Sequence, residues 1–203
     1  MSGRSETGTL ALGAIALSLL LIVIAGPVFS QQSAQQPLEV AVGIEIDQIT
    51  GIDQKAENFG AVVNIRMVWK DPLLAFDAAA YGRDYKLMSA DEYISLAENM
   101  RTTTPFFLFQ NQQGQRWEQD AFVSIDPDGT CWFFERSTLT LQAPYFDFSK
   151  YPFDTQPFFV EIVSAHPLDQ VTYRAFEGQY GLGEQLGEEA WILENPEMII
   201  STQ

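Results

Sequence analysis

Residues 143–159 read Ala143-Pro144-Tyr145-Phe146-Asp147-Phe148-Ser149-Lys150-Tyr151-Pro152-Phe153-Asp154-Thr155-Gln156-Pro157-Phe158-Phe159. The stretch lies between two strand-like runs, residues 130–141 and 158–163. A connection this long between strands is uncommon unless it is functional or packed by its own side chains. The packing material is present in Tyr145, Phe146, Phe148, Tyr151 and Phe153. Asp147 and Asp154 can turn the chain through hydrogen bonds to nearby backbone, and Pro144 and Pro152 fix a torsion each. On composition alone an ordinary aromatic corner of a β-sandwich explains the stretch equally well.

The order of residues is more specific than their composition. Asp147, then Tyr151-Pro152-Phe153-Asp154, then Gln156 resembles the signature loop of the pentameric ligand-gated ion channels, the Cys-loop receptor superfamily. In animal members that loop is closed by a disulfide. Here the two closing positions fall at Pro144 and Phe158, so the resemblance is to the prokaryotic members, which keep the motif without the bridge.

Working outward, residues 40–46 place Val40, Val42, Ile44 and Ile46 at every second position, which predicts a strand buried on one face. Residues 50–58 read as a connection. A second strand follows with Phe59, Ala61, Val63, Ile65, Met67 and Trp69 on one side, so the two runs predict a hairpin. Trp69 and Asp71 end it, with Asp71 capping the turn; the same pair resembles a structural landmark of the channel family. Ser89 with Glu92 three residues later predicts a capped short helix. Pro105 and Asn111 fall where the family carries a proline and a later asparagine, although Thr103 stands at the family's tryptophan position. Residues 111–120 are polar. Asp126-Pro127-Asp128-Gly129 is a turn cluster inside a tight hairpin over 122–141, and the Asp128-Gly129-Thr130 turn followed by an aromatic and, three residues on, Arg136 again resembles the family's hairpin. Beyond the signature loop, Phe158, Val160 and Ile162 alternate with Phe159, Glu161 and Val163, and Val171 and Tyr173 mark another strand. Residues 176–189 read as an acidic, glycine-rich mobile surface loop, and Trp191-Ile192-Leu193 resumes strand character.

The bulk properties bound the function classes. The chain has 203 residues, 46% of them hydrophobic, and a formal net charge of −16, enough for one sizeable domain. One cysteine cannot form an internal disulfide, and one histidine, His166, argues against a histidine-based zinc site or a serine–histidine pair. With 11 Lys and Arg against 27 Asp and Glu, nucleic acid is not an expected partner. Cys131 sits among apolar neighbours and reads as a buried, inert thiol. No phosphate-cradling glycine loop and no privileged carboxylate pair is present, so no catalytic residue, metal ligand or cofactor is expected and the chain does not read as an enzyme.

At the start, Arg4 precedes an apolar run over 10–25, then Val28 and Ser30 stand at the spacing of a cleavage site. Residues 1–30 therefore read as a secretory signal, with an uncleaved anchor as the alternative. Residues 31–37 are a polar lead-in and residues 38–203 the folded domain, exported to the periplasmic or extracellular side.

The expected fold is all-β: an immunoglobulin-like β-sandwich of the channel ligand-binding type with one short helix. The resemblance implies the ligand-sensing domain of a bacterial pentameric channel, assembled as a homopentamer with a small-molecule ligand at subunit interfaces. Pore helices would lie beyond this chain, which reads as incomplete at its C-terminal end. The ligand-facing positions that the resemblance implies are Asn64, Gln110, Arg116, Trp132 and Ala165. Since Asn64, Gln110 and Ala165 are not aromatic, no aromatic box for a quaternary amine is expected. The resemblance also makes residues 47–59 and Tyr151–Asp154 the surface that couples ligand to pore. The alternative is a soluble secreted or periplasmic binding protein with no pore, and an unrelated adhesion or carbohydrate-binding sandwich would make the loop a coincidence.

Overall fold

The inward set of the second predicted strand is the spine of the protein. In the computed structural model, which describes residues 36–144, 155–183, 193 and 195–201, the strand β2 (Asn58–Lys70) buries all of Phe59, Ala61, Val63, Ile65, Met67 and Trp69. Period-two alternation puts them on one face because successive side chains of a strand point to opposite sides. Its hairpin partner β1 (Leu38–Asp53) does the same with Val40, Val42 and Ile44. β1 continues past the expected connection. Register shifts between Ile46 and Gln48 and between Ile49 and Gly51 absorb the break in alternation, so pairing runs on to Asp53 opposite Asn58. The true turn is 54–57, where the Asp53 carboxylate accepts from the Lys55 and Ala56 amides at 3.0 and 2.9 Å.

After β2 the Asp71 carboxylate accepts from the Leu73 amide at 2.9 Å, starting a short 3-10 turn, Pro72–Leu74. A one-turn helix α1 (Ala78–Tyr81), a strand β3 (Lys86–Ser89) and the helix α2 (Ala90–Met100) follow. α2 carries the expected capping box, with Ser89 and Glu92 bonded reciprocally. It docks through Tyr93 and Ala97, whose spacing of four puts them on one side; the Tyr93 ring meets the Trp69 ring edge-on at 5.7 Å.

The next strands are β4 (Phe107–Phe109), β5 (Gln112–Ile125) and β6 (Thr130–Gln142). β5 begins earlier than its composition suggests, since most of the polar stretch 111–120 belongs to it. That half has no neighbour beyond β6, because β3 pairs only with Phe122–Ile125, and an edge strand tolerates polar residues on both faces. Then come β7 (Ile162–Ser164), β8 (Val171–Ala175) and β9 (Gly181–Leu182). The strand-like run 158–163 yields only β7, because its partner β4 offers three residues.

The main sheet has the order β3-β5-β6-β2-β1-β8, with β9 also pairing β1; β4 and β7 form a second sheet. One apolar core joins them, with Phe109 buried in it and Phe107 packing edge-on to Phe133 of β6 at 6.0 Å. The chain is thus an all-β sandwich with two short helices. β8 and β9 both run parallel to β1, and the segment between them arches over Gly43, where a Cβ would lie 2.2 Å from the Gln179 carbonyl oxygen. The stretch 176–183, expected as a mobile loop, is therefore fastened to β1, also through the Phe176 and Gly183 amides bonded to Val42 and Ile46 carbonyls at 2.8 Å each. Leu193 and Met198 pack against the core, while Ile199 is largely exposed. Residues 1–35, the 145–154 part of the signature loop, the 184–189 part of the glycine-rich stretch, and Trp191 with Ile192 lie outside the described residues.

Candidate functional site

Strand register assembles a polar network on the face of the main sheet that points away from the core. Across it stand Glu45 of β1, Asn64 of β2, Arg136 of β6 and Asp120 of β5 in one row. Arg136 uses its fork in three directions: to Asp47 at 2.6 Å, to the Asn64 side-chain oxygen at 3.0 Å and to the Gln119 side-chain oxygen at 3.0 Å. Asn64 is buried and donates in turn to Glu45 at 3.2 Å, and Glu45 also pairs with Arg66 at 3.3 Å. The Arg66 guanidinium lies 5.9 Å from the centre of the Phe134 ring. One row along, Trp132 is 43% exposed, its indole N–H bonded to Asp126 at 2.7 Å and its ring 6.3 Å from that of Phe176.

Arg116 lies on the other side of the sheet. The register shift between Gln113 and Trp117 turns it inward, where it pairs with Glu135 of β6 at 3.2 Å and approaches Glu118 at 3.8 Å. Its guanidinium sits 5.6 and 5.5 Å from the ring centres of Phe107 and Phe109 on the second sheet. Glu135 is 3% exposed. Burial pushes its carboxyl above the ordinary range; a 2.5 Å bond from the Ser137 hydroxyl and the Arg116 charge pull against that rise.

A third group gathers around the small sheet. The Gln110 amide donates to the Glu161 carbonyl at 2.8 Å and the Ala165 amide to the Phe106 carbonyl at 2.9 Å. His166 meets the Thr104 carbonyl through Nε2 at 2.7 Å, and the Tyr173 hydroxyl donates to the Phe106 carbonyl at 3.1 Å. Burial moves that hydroxyl up to about 12. Pro105 is buried.

The five ligand-facing candidates thus fall in three places within this single chain. Asn64 and Trp132 share the outer face, Arg116 lies between the sheets, and Gln110 and Ala165 flank the small sheet. Of the coupling residues, Asp147, Tyr151, Pro152, Phe153 and Asp154 lie outside the described residues, and Gln156 is buried. Both ends of that stretch touch the β1–β2 turn region: the Ala143 amide donates to the Glu57 carbonyl at 2.8 Å, and the Phe158 ring packs edge-on against Phe59 at 5.0 Å. Among the landmarks, Trp69 is buried, Asp71 bonds Thr102 as well as Leu73, and Gly129 takes a left-handed φ of 83°.

Sequence reasoning did not single out Glu45, Asp47 and Gln119 as partners of the arginines, or Glu135 as an inward carboxylate. The signal for Glu135 was available: it stands two residues from inward Phe133 and four from inward Cys131. Among the described residues no group of side chains is arranged to hold a metal ion, and no helix is long and apolar enough to cross a membrane.

The family described as neurotransmitter-gated ion-channel ligand binding domain matches residues 26–180, and the chain belongs to it. It is similar to the proton-gated ion channel of Gloeobacter violaceus, with 30% identity over 130 residues that cover 64% of this chain and 33% of that protein. It is also similar to the gamma-aminobutyric acid receptor subunit rho-3 of Rattus norvegicus, with 25% identity over 130 residues, 63% of this chain and 26% of that subunit. The matched part spans about a third or less of either relative. The first of these relatives is an ion channel by name and the second a receptor subunit.

Proposed function

We propose that this domain is the sensor of a bacterial pentameric channel, built from five identical subunits and facing the periplasm or the exterior. A small-molecule ligand would sit where neighbouring subunits meet, offered a face by Asn64, Gln110, Trp132 and Ala165, and by Arg116 only along its exposed side, since its guanidinium turns between the sheets toward Glu135. Asn64, Gln110 and Ala165 are not aromatic, so the proposed site would bind by means other than an aromatic box of the quaternary-amine type. Occupancy would be passed to the pore through Asp147, Tyr151, Pro152, Phe153, Asp154 and Gln156 together with residues 47–59, Asp154 pairing with a basic residue of the pore region.

The observation that carries this reading is the attachment of both ends of the signature stretch to the β1–β2 turn region, through Ala143 to Glu57 and Phe158 to Phe59. Two loops joined in this way move together, so a subunit rotation at the ligand interface displaces them as one element against whatever lies beneath. A ligand shifts such an equilibrium only by its differential affinity for the two positions.

The test joins residues 36–201 to the pore region of the proton-gated relative and records current while pH and a panel of small acids, amines and amino acids are varied. The expected result is a gated current that Asp154→Asn and Tyr151→Ala diminish while pentamers remain at the cell surface. Surface pentamers that stay silent to every stimulus, or that respond equally well with both substitutions, would refute the reading.

A further inference from the structure

Asn111, in the turn between β4 and β5, meets two stretches of backbone that are distant in sequence. Its side-chain nitrogen donates to the Gln142 carbonyl at 3.1 Å and to the Phe159 carbonyl at 2.8 Å. Its side-chain oxygen accepts from the Glu161 amide at 3.1 Å. Its own carbonyl accepts from the Gln142 amide at 2.7 Å, and its neighbour Gln110 donates to the Glu161 carbonyl at 2.8 Å. Gln142 is the last residue of β6, and Phe159 and Glu161 come just before β7.

We infer that Asn111 is the clasp that closes the 143–158 loop, holding its two ends together where this chain has no covalent bridge. The inference concerns how the coupling element of the proposed sensor is positioned, and for that consequence it rests on the proposed function. The chemistry selects the residue. A primary amide has two N–H donors and an acceptor oxygen, and all three are used here. Aspartate at the same position would retain the acceptor for the Glu161 amide but turn an oxygen toward two carbonyl oxygens. Both carbonyl oxygens lie within 3.1 Å of one nitrogen, so they are no more than about 6 Å apart. That spacing fixes the mouth of the loop. Holding the ends of a loop removes closure entropy that grows with its length, whether the tie is covalent or not. Fixing the mouth also fixes where the loop begins and ends relative to the Glu57 and Phe59 contacts.

The experiment uses the 203-residue chain with the buried Cys131 left in place. Amide hydrogen exchange over residues 142–161 is measured for the parent, Asn111→Ala and Asn111→Asp, and each again with the pair Pro144→Cys and Phe158→Cys, oxidised and reduced. Loss of two hydrogen bonds of ordinary strength accelerates exchange at the loop ends by about tenfold or more. Asn111→Asp behaves like Asn111→Ala there, although it keeps the bond to the Glu161 amide. Once oxidised, the variants exchange no faster than the parent carrying the same pair, which also lacks the Phe158 ring packed on Phe59, and reduction restores the difference. The inference is overturned if the disulfide slows exchange equally in parent and variants, or if Asn111→Asp retains parental protection. None of these readings involves a pore. A clasp that behaves as expected beside a silent chimera would count against the channel reading alone.

Discussion

Gly129→Ala separates two costs that the structure assigns to one position. Gly129 closes the β5–β6 hairpin with φ of 83°, a region where a Cβ costs an L-residue about 1–2 kcal/mol. A Cβ here would also lie 2.3 Å from the Asp71 carbonyl oxygen and 3.0 Å from its carbon. That backbone cannot easily retreat. The Asp71 amide donates to the Gly129 carbonyl at 2.9 Å, and the Asp71 side chain holds Leu73 and Thr102. Moving the two segments apart gives up at least the backbone bond, worth about 1 kcal/mol net. The combined destabilisation is about 2–4 kcal/mol, a large share of the about 5–15 kcal/mol of a typical domain. Gly114→Ala is the control: its φ of 70° carries the torsional cost, but no atom lies within 4 Å of the added Cβ. It should cost only about 1–2 kcal/mol. Urea unfolding of both variants, followed by far-ultraviolet circular dichroism with unchanged m-values, gives the comparison. If Gly129→Ala lies within about 0.5 kcal/mol of Gly114→Ala, the close approach of the hairpin tip to Asp71 is not what the structure says it is.

Further outcomes follow from the titrating groups. Burial pushes the Cys131 thiol up to about 12, so a thiol reagent at mildly alkaline pH should leave the native protein unmodified and label it fully in denaturant; rapid native labelling would contradict the burial. The Glu135 carboxyl is raised in the folded state, so its contribution to stability is greatest below its unfolded value and is lost as pH rises through the folded value. Arg116→Gln removes the opposing charge and should move the Glu135 midpoint further up, read by carbon NMR of labelled glutamate; an unmoved midpoint would show that the 3.2 Å pair is not formed. The bond to Lys70, with the Thr130 bonds behind it, holds the exposed Asp128 carboxyl at about 2, so its contribution is present above the ordinary value and lost as pH falls through about 2. In Lys70→Ala the Asp128 midpoint should return toward the ordinary carboxylate range, and an unchanged titration would assign the shift to Thr130 instead.

Much of the fold was legible because it is written in local patterns. Alternation identified the inward residues of β2, Ser89 and Glu92 identified the start of α2, and the Asp126–Gly129 cluster identified the hairpin that the structure closes there. Each of these signals depends on residues within a few positions of one another, where backbone geometry and side-chain chemistry act directly. The boundaries were less legible. β5 extends back to Gln112 through a polar stretch because β6 supplies its hydrogen bonds, and the 158–163 run shortens to β7 because β4 is short. Strand extent is set by the partner, which composition does not reveal.

What the sequence determined by itself is the class of this protein: an all-β sandwich, a family motif in the right order, and a lone cysteine too apolar in its surroundings to serve as a reactive group. What only the tertiary structure decided is which distant groups meet. Asp47 and Arg136 are 89 residues apart and Asn111 and Phe159 are 48 apart, yet each pair is hydrogen-bonded. Arg116 and Trp132 are both outward-looking residues by type, but a register shift sends the first between the sheets and leaves the second on the outer face. The physical reason is that alternation specifies only a side of a strand. Register, bulges and the docking of one sheet on another are settled by the packing of the whole core, and these select the partner of every polar side chain on either side.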